Sequence, residues 1–127
     1  MLIQDLLGNP VISCDPTTTL ADAARKMCEH DVGSLAVMRH DALIGLVTER
    51  DLIRAIADDT ASATATVDSW MTYEPDTVDA DVDVAEAAEW MLTTGYRHLP
   101  VITGSEVSGI ISIKDLLWAV TGQQTGR

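Results

Sequence analysis

The chain has 127 residues, 46% of them hydrophobic, enough for a domain whose core needs no disulfide or metal staple. Acidic residues outnumber basic ones 20 to 8, and the resulting charge of −12 repels phosphate backbones and argues against nucleic-acid binding. The longest apolar run, Leu43-Ile44-Gly45-Leu46-Val47, falls far short of the ~20 residues of a membrane span, and no basic start leads into an apolar stretch as in a signal peptide.

Taken in chain order, residues 11–14 read as a short strand. Leu20, Ala23, Ala24, Met27 and Cys28 then recur at helical spacing, an apolar face about 100° wide. Two apolar runs, 35–38 and 43–47, flank the polar turn Arg39-His40-Asp41 and predict a hairpin. A helix follows over 49–57, and the segment 58–65, rich in Ala, Ser and Thr, reads as a linker. The same signals then return: a strand at 77–78, and a helix with Val84, Ala87, Ala88, Met91 and Leu92 on one face. Apolar runs at 99–102 and 107–111 flank Thr103-Gly104-Ser105, and a helix covers 113–120. Residues 122–127 are expected to form a flexible tail.

The recurrence has a fixed register. An offset of 64 places Ala21-Asp22-Ala23-Ala24 on Ala85-Glu86-Ala87-Ala88, Gly45 on Gly109, and Asp51-Leu52 on Asp115-Leu116, without a gap. Two copies of a β-α-β-β-α unit thus fill the chain, at 1–57 and 66–121. Neither copy can build much core alone, so an α+β fold is expected, with tandem repeats packed sheet to sheet about a pseudo-two-fold axis. The register places Cys14 on Val78 and Cys28 on Leu92, which predicts two buried free thiols acting as small hydrophobes. That suits a reduced, cytoplasmic setting. Asp accounts for 14 of the 20 acids, and there are only two lysines, Lys26 and Lys114. Such a carboxylate surface fits either a halophile's salt-rich cytoplasm or ordinary solubility through like-charge repulsion.

Each copy closes on Gly-apolar-apolar-Thr/Ser-x-x-Asp: Gly45-Leu46-Val47-Thr48-Glu49-Arg50-Asp51 and Gly109-Ile110-Ile111-Ser112-Ile113-Lys114-Asp115. With His98-Leu99-Pro100-Val101-Ile102 as a second strand, the whole chain resembles a pair of CBS (cystathionine beta-synthase) domains, a Bateman module. The resemblance implies a stand-alone, non-catalytic regulatory module. It would bind AMP, ADP, ATP or S-adenosylmethionine in clefts between the repeats, pair into a homodimer and act on a partner protein that the sequence does not identify. No catalytic cofactor is implied, and no membrane or nucleic-acid partner.

A nucleotide cleft needs a carboxylate for the ribose hydroxyls, donors for phosphate and an apolar slot for the base. Asp51 and Asp115 fit the first role, and Thr48 and Ser112 open helices whose unpaired N–H groups favour an anion. Hydroxyl and carboxylate at this spacing also make an ordinary helix cap, as at Thr19-x-x-Asp22 and Asp83-x-x-Glu86. The resemblance implies that each cleft draws on both copies. The first would combine Thr48 and Asp51 with Thr77, Arg97, His98, Pro100 and Lys114. The second would combine Ser112 and Asp115 with Ser13, Val32, Gly33, Ser34 and Arg50. The cations of the first suit a phosphate, whereas the second suits a less charged ligand or stays empty.

Trp90 and Trp118 align with Lys26 and Arg54 and are expected to lie off the apolar helix faces, the second of them defined by Leu116, Leu117 and Val120. Tryptophan where the sister copy keeps a charge suggests an interface, and the resemblance implies dimerisation through the helices. Catalysis would need a nucleophile beside a base or clustered metal ligands, and His30, His40 and His98 stand in no such motif. The alternative to a ligand sensor is a dimerisation or protein-interaction module with vestigial clefts.

Overall fold

The computed structural model describes residues 1–8 and 10–122, so the tail expected at 122–127 lies, from 123 on, outside the described residues. The elements are β1 (Ser13–Cys14), α1 (Leu20–His30), β2 (Ser34–Arg39), β3 (Ala42–Thr48), α2 (Glu49–Ala57), β4 (Thr72–Tyr73), β5 (Val78–Asp79), α3 (Val84–Thr94), β6 (His98–Thr103), β7 (Glu106–Ser112) and α4 (Ile113–Val120), with 3-10 turns at Ile3–Leu6 and Val67–Ser69. The α+β class read from the sequence is the one observed, with four helices and two sheets among the described residues.

Local chemistry sets the boundaries. The Thr19 hydroxyl accepts the Asp22 N–H at 3.1 Å and starts α1, while the Asp83 carboxylate accepts the Ala85 N–H at 3.0 Å and starts α3. Helix α3 stops at Gly95, whose φ of 85° a residue without Cβ adopts at no steric cost. His40 and Asp41 both take positive φ, the geometry that lets a two-residue turn follow the twist of its hairpin, here β2–β3.

The sheets share one plan. A two-residue strand runs parallel to the first hairpin strand, β1 to β2 and β5 to β6, and both hairpins carry an irregularity at matching places, Val37/Met38 and Val101/Ile102. The first sheet gains an edge strand that the sequence reading missed, β4, paired antiparallel to Gly45 and Leu46.

The chain divides into two compact units, one of Val11–Pro75 and one of Met1–Pro10 together with the chain from Asp76 on. In the first, Leu20, Ala23, Met27, Leu35, Val37, Val47, Ala55 and Val67 form the core. In the second, Ile3, Val84, Ala87, Met91, Leu99, Val101, Ile111 and Leu116 do so with their neighbours. Each leading segment therefore packs in the unit that holds the other copy's strands and helices. The Val67 N–H donates to the Thr18 carbonyl at 2.9 Å, and the Ile3 N–H donates to the Val82 carbonyl at 2.9 Å, which is the same bond displaced by the repeat. The segment 58–65 is also more than a tether, since the Ser62 and Ala65 carbonyls accept the Ala21 and Leu20 N–H groups at the start of α1.

Two burial expectations need correction. Cys28 is exposed and Cys14 only half-buried, so they are not a matched pair of core thiols. Cys28 and its counterpart Leu92, 60% exposed, lie about 80° around the helix from Leu20 and Val84, at the rim of the buried stripe. On α4 only Leu116 of the expected apolar face is buried. Leu117 and Val120 are exposed and Trp118 is half-buried, so this tryptophan lies closer to the body than two aliphatic residues meant to anchor the helix.

Candidate functional site

The end of β3 delivers Thr48 to the first turn of α2, where a complete capping box forms. The Thr48 N–H donates to Asp51 Oδ2 at 2.8 Å, the Thr48 hydroxyl donates to the same oxygen at 3.1 Å, and the Asp51 N–H donates to the hydroxyl oxygen at 3.3 Å. Oδ1 takes no part in the cap and stands 3.9 Å from Arg54 Nη1, an ion-pair distance too long for a hydrogen bond. Asp51 is 7% exposed. Asp22, at the corresponding place in α1, is exposed and paired with Arg25 at 2.6 Å. A carboxylate that only closed a helix could sit in water, as Asp22 does. Burying one costs free energy unless its lone pairs are matched, so Asp51 is a candidate for more than capping.

The unit of Val11–Pro75 brings the other candidates of its copy beside this carboxylate. Ser34, itself buried, is the register partner of Thr48, and the Glu49 N–H donates to the Gly33 carbonyl at 2.9 Å. Val32 precedes Gly33 and is half-buried; Arg50 is exposed on the first turn of α2. Ser13 lies on β1, and its carbonyl accepts a hydrogen bond from the Lys26 ammonium of α1.

The other unit repeats the plan with different side chains. His98 is the register partner of Ser112, and the Ile113 N–H donates to the Arg97 carbonyl at 2.8 Å. The Ser112 hydroxyl accepts the Asp115 N–H at 3.1 Å. Arg97 and Lys114 are exposed, while Asp115 is half-buried, in contrast to Asp51. Thr77 is exposed just before β5, and Pro100 is fully buried within β6. Each unit thus assembles the carboxylate and hydroxyl of one expected cleft together with the residues preceding the hairpin that were expected for the other.

Sequence reasoning missed two features. Tyr96 donates a hydrogen bond to the Asp76 carboxylate and meets Trp90 edge-on, with ring centroids 5.5 Å apart. The Asp76 partner raises the Tyr96 pKa above the usual phenol value. The closing helices also leave Ile53 and Ile56 on α2, and Leu117 and Val120 on α4, exposed at positions exactly one repeat apart. The offset of 64 held that signal, because both pairs are apolar in both copies. Among the described residues no group of three His, Cys, Asp or Glu side chains could hold a metal ion, and no helix is long and apolar enough to cross a membrane.

Two β-α-β-β-α copies, each with a hydroxyl and a carboxylate where its last strand meets its last helix, define a tandem-repeat α+β protein with paired polar sites. The CBS domain model matches residues 3–58 and 67–122, and the chain belongs to that family. It is 37% identical, over 97% of its length and 75% of the other's, to an uncharacterized 17.7 kDa protein of Acidianus ambivalens. Across four curated relatives it spans 55–78% of their lengths. Among solved structures it is similar to a CBS domain protein from Pyrobaculum aerophilum complexed with AMP, at a TM-score of 0.87 and 26% identity over 100% of both chains. It is equally similar, at 0.87 and 25% over 98% of both, to the CBS domain pair of protein MJ0100 in complex with 5-methylthioadenosine and S-adenosyl-L-methionine.

Proposed function

We propose that this chain is a cytoplasmic sensor that takes an adenosine-type nucleotide between its repeats, 1–57 and 66–121, and passes its occupancy to a partner protein. The observation that carries the reading is Asp51, a buried carboxylate with one oxygen outside its capping box. Two adjacent ribose hydroxyls are donors that such an oxygen, with its spare lone pairs, accepts well. The AMP and S-adenosyl-L-methionine complexes of the similar structures support the ligand class.

In this reading Thr48 and Asp51 work with Thr77, Arg97, His98, Pro100 and Lys114, and the cations of that set hold the phosphate. Ser112 and Asp115 work with Ser13, Val32, Gly33, Ser34 and Arg50, a set with a single cation that suits a ligand of lower negative charge. Ligand binding shifts the balance between two arrangements of the module, and a partner reads the difference. A second copy of this chain covers the helices at Trp90 and Trp118. The repeated exposure of Ile53, Ile56, Leu117 and Val120 supports that pairing. The same exposed residues favour the second reading, a dimerisation or protein-interaction module whose clefts are vestigial.

Calorimetric titration with AMP, ADP, ATP, S-adenosylmethionine and NAD, at moderate and multimolar salt, separates the two. Saturable binding near one site per chain that is lost in Asp51→Ala supports the sensor. A folded protein with neither heat nor thermal stabilisation from any of the five leaves the interaction module.

A further inference from the structure

Three side chains from three segments are joined in the unit that contains Asp76 onward. Trp90 of α3 meets the Tyr96 ring edge-on, at 5.5 Å and 63°, and the Tyr96 hydroxyl donates to the Asp76 carboxylate. Asp76 immediately precedes Thr77, and Tyr96 immediately precedes Arg97. The link therefore holds together the starts of the two segments that the nucleotide reading assigns to the base and to the phosphate.

The repeat supplies a comparison within the same molecule. Trp90, Tyr96 and Asp76 correspond to Lys26, Val32 and Ile12. In the first copy the Lys26 ammonium donates to the Ser13 carbonyl, and Ile12 and Val32 pack against the apolar core. The same helix position thus serves one strand entrance in both copies, directly through Lys26 in the first and by way of Tyr96 for Trp90 in the second. A reason for a tie is visible in the strands. Both β1 and β5 are two residues long, so ladder hydrogen bonds alone hold the residues before them weakly. In the first copy burial helps, since Ile12 and Ser13 are half-buried, but Asp76 and Thr77 are both exposed. There the order has to come from a specific bond. A phenol donating to a carboxylate is a charge-assisted bond, stronger than a neutral one, and the ring contact with Trp90 restricts where that phenol can point.

We propose that Trp90, Tyr96 and Asp76 form a positioning clamp that orders Thr77 for the base side of a bound adenosine-type ligand. The proposal rests on the nucleotide reading and adds to it residues that touch no ligand. Loss of the clamp frees the base-side segment, so it weakens adenosine and AMP by the same factor. Loss of the Arg97 and His98 side chains weakens only the phosphorylated ligand.

The test is calorimetric titration of the wild type, Tyr96→Phe, Asp76→Ala and Asp76→Asn with adenosine and with AMP, alongside amide hydrogen exchange of the ligand-free proteins. Tyr96→Phe keeps the ring against Trp90 and removes only the hydroxyl, and Asp76→Asn keeps an oxygen acceptor. The expected result is a fall of about threefold to tenfold for both ligands in Tyr96→Phe and Asp76→Ala, the range of one lost hydrogen bond. Asp76→Asn should recover most of it. Exchange at Thr77 and Val78 should quicken in the two weakened variants while the core amides of Val101 and Ile111 stay protected. Wild-type affinity for both ligands in Tyr96→Phe overturns the clamp and leaves the nucleotide reading standing. A loss confined to AMP also overturns it. A wild-type protein that binds neither ligand overturns both.

Discussion

Asp51 commits one of its two oxygens to the helix cap, and the division makes its substitution informative. Oδ2 closes the helix cap with Thr48, whereas Oδ1 is outside it. Thr48→Ala removes the hydroxyl half of the cap and should cost about 1 kcal/mol of stability, readable as a lower midpoint in chemical denaturation. Asp51→Ala removes the same cap and the proposed ribose acceptor, so nucleotide affinity should fall at least about tenfold, equivalent to ~1.4 kcal/mol. Asp115→Ala should matter less, because that carboxylate is only half-buried. Equal effects of Asp51→Ala and Asp115→Ala on binding would remove the distinction drawn between the two copies. The cysteines offer an independent check on burial. Desolvation, the largest influence, raises the Cys14 pKa, outweighing its Thr18 hydrogen bond and the charge of Lys26, while Cys28 lies exposed. The thiolate is the nucleophile, so a raised pKa leaves less of it at any pH below that value. A disulfide reagent at pH 8 should therefore label Cys28 quickly and Cys14 slowly, with both reacting at once in denaturant. Two equally fast thiols in the folded protein would contradict the burial of Cys14.

Among the elements, the exchanged leading segments explain the two glycines of the repeated motif better than any ligand does. A Cβ at Gly45 would stand 2.4 Å from Met71 Sδ and 3.0 Å from its Cγ, and one at Gly109 would stand 2.9 Å from Leu7 Cδ2. Met71 and Leu7 are one repeat apart, so each glycine admits the same residue of the leading segment. At Gly45 the stem as well as the sulfur of Met71 is in the way, whereas at Gly109 the tip of a leucine can rotate. Gly45→Ala should consequently destabilise by about 1–3 kcal/mol, the range for overpacking, and Gly109→Ala by less. Combining Gly45→Ala with Met71→Ala should recover most of that loss relative to Met71→Ala alone, as a double-mutant cycle in denaturant would measure. Additive effects would show that Met71 is not what requires the glycine. The pattern Gly-apolar-apolar-Thr/Ser-x-x-Asp was legible in the sequence, and so were the boundaries of α2 and α4, because period and capping residues are local signals. The exchange was not, since nothing local says which unit Leu2–Leu7 joins. Strand β4 escaped notice because Thr72 and Tyr73 are both exposed, and a two-residue strand with no buried side has no alternation to read. Cys28 and Leu92 were placed inside because an apolar residue at the edge of a helical stripe looks the same in sequence as one at its centre.

For the molecule as a whole, the governing fact is an acidic chain that leaves aliphatic side chains in water on both closing helices. Ile53 and Ile56 are 64% and 68% exposed, and Leu117 and Val120 occupy the matching places on α4. Scattered exposed aliphatics need no explanation, but the same two positions in two diverged copies do. If a second copy covers them, burial of these groups drives association while two bodies of charge −12 oppose it. Salt separates the two terms. The screening length shrinks from about 10 Å at 0.1 M to about 3 Å at 1 M, so repulsion fades while apolar association persists. Sedimentation of the wild type should show a dimer whose dissociation constant falls as salt rises from 0.1 M to 1 M. Ile53→Lys with Leu117→Lys makes the chain less acidic by two charges, which alone would strengthen pairing. It also places an ammonium group in each apolar contact, which costs far more than the screened repulsion it removes. The double variant should therefore sediment as a monomer at every salt concentration, and Trp90→Lys should weaken the dimer in the same direction. A double variant that pairs as tightly as the wild type would move the interface off α2 and α4. Tighter pairing by the variant at low salt would show that net charge, rather than these aliphatic groups, controls association.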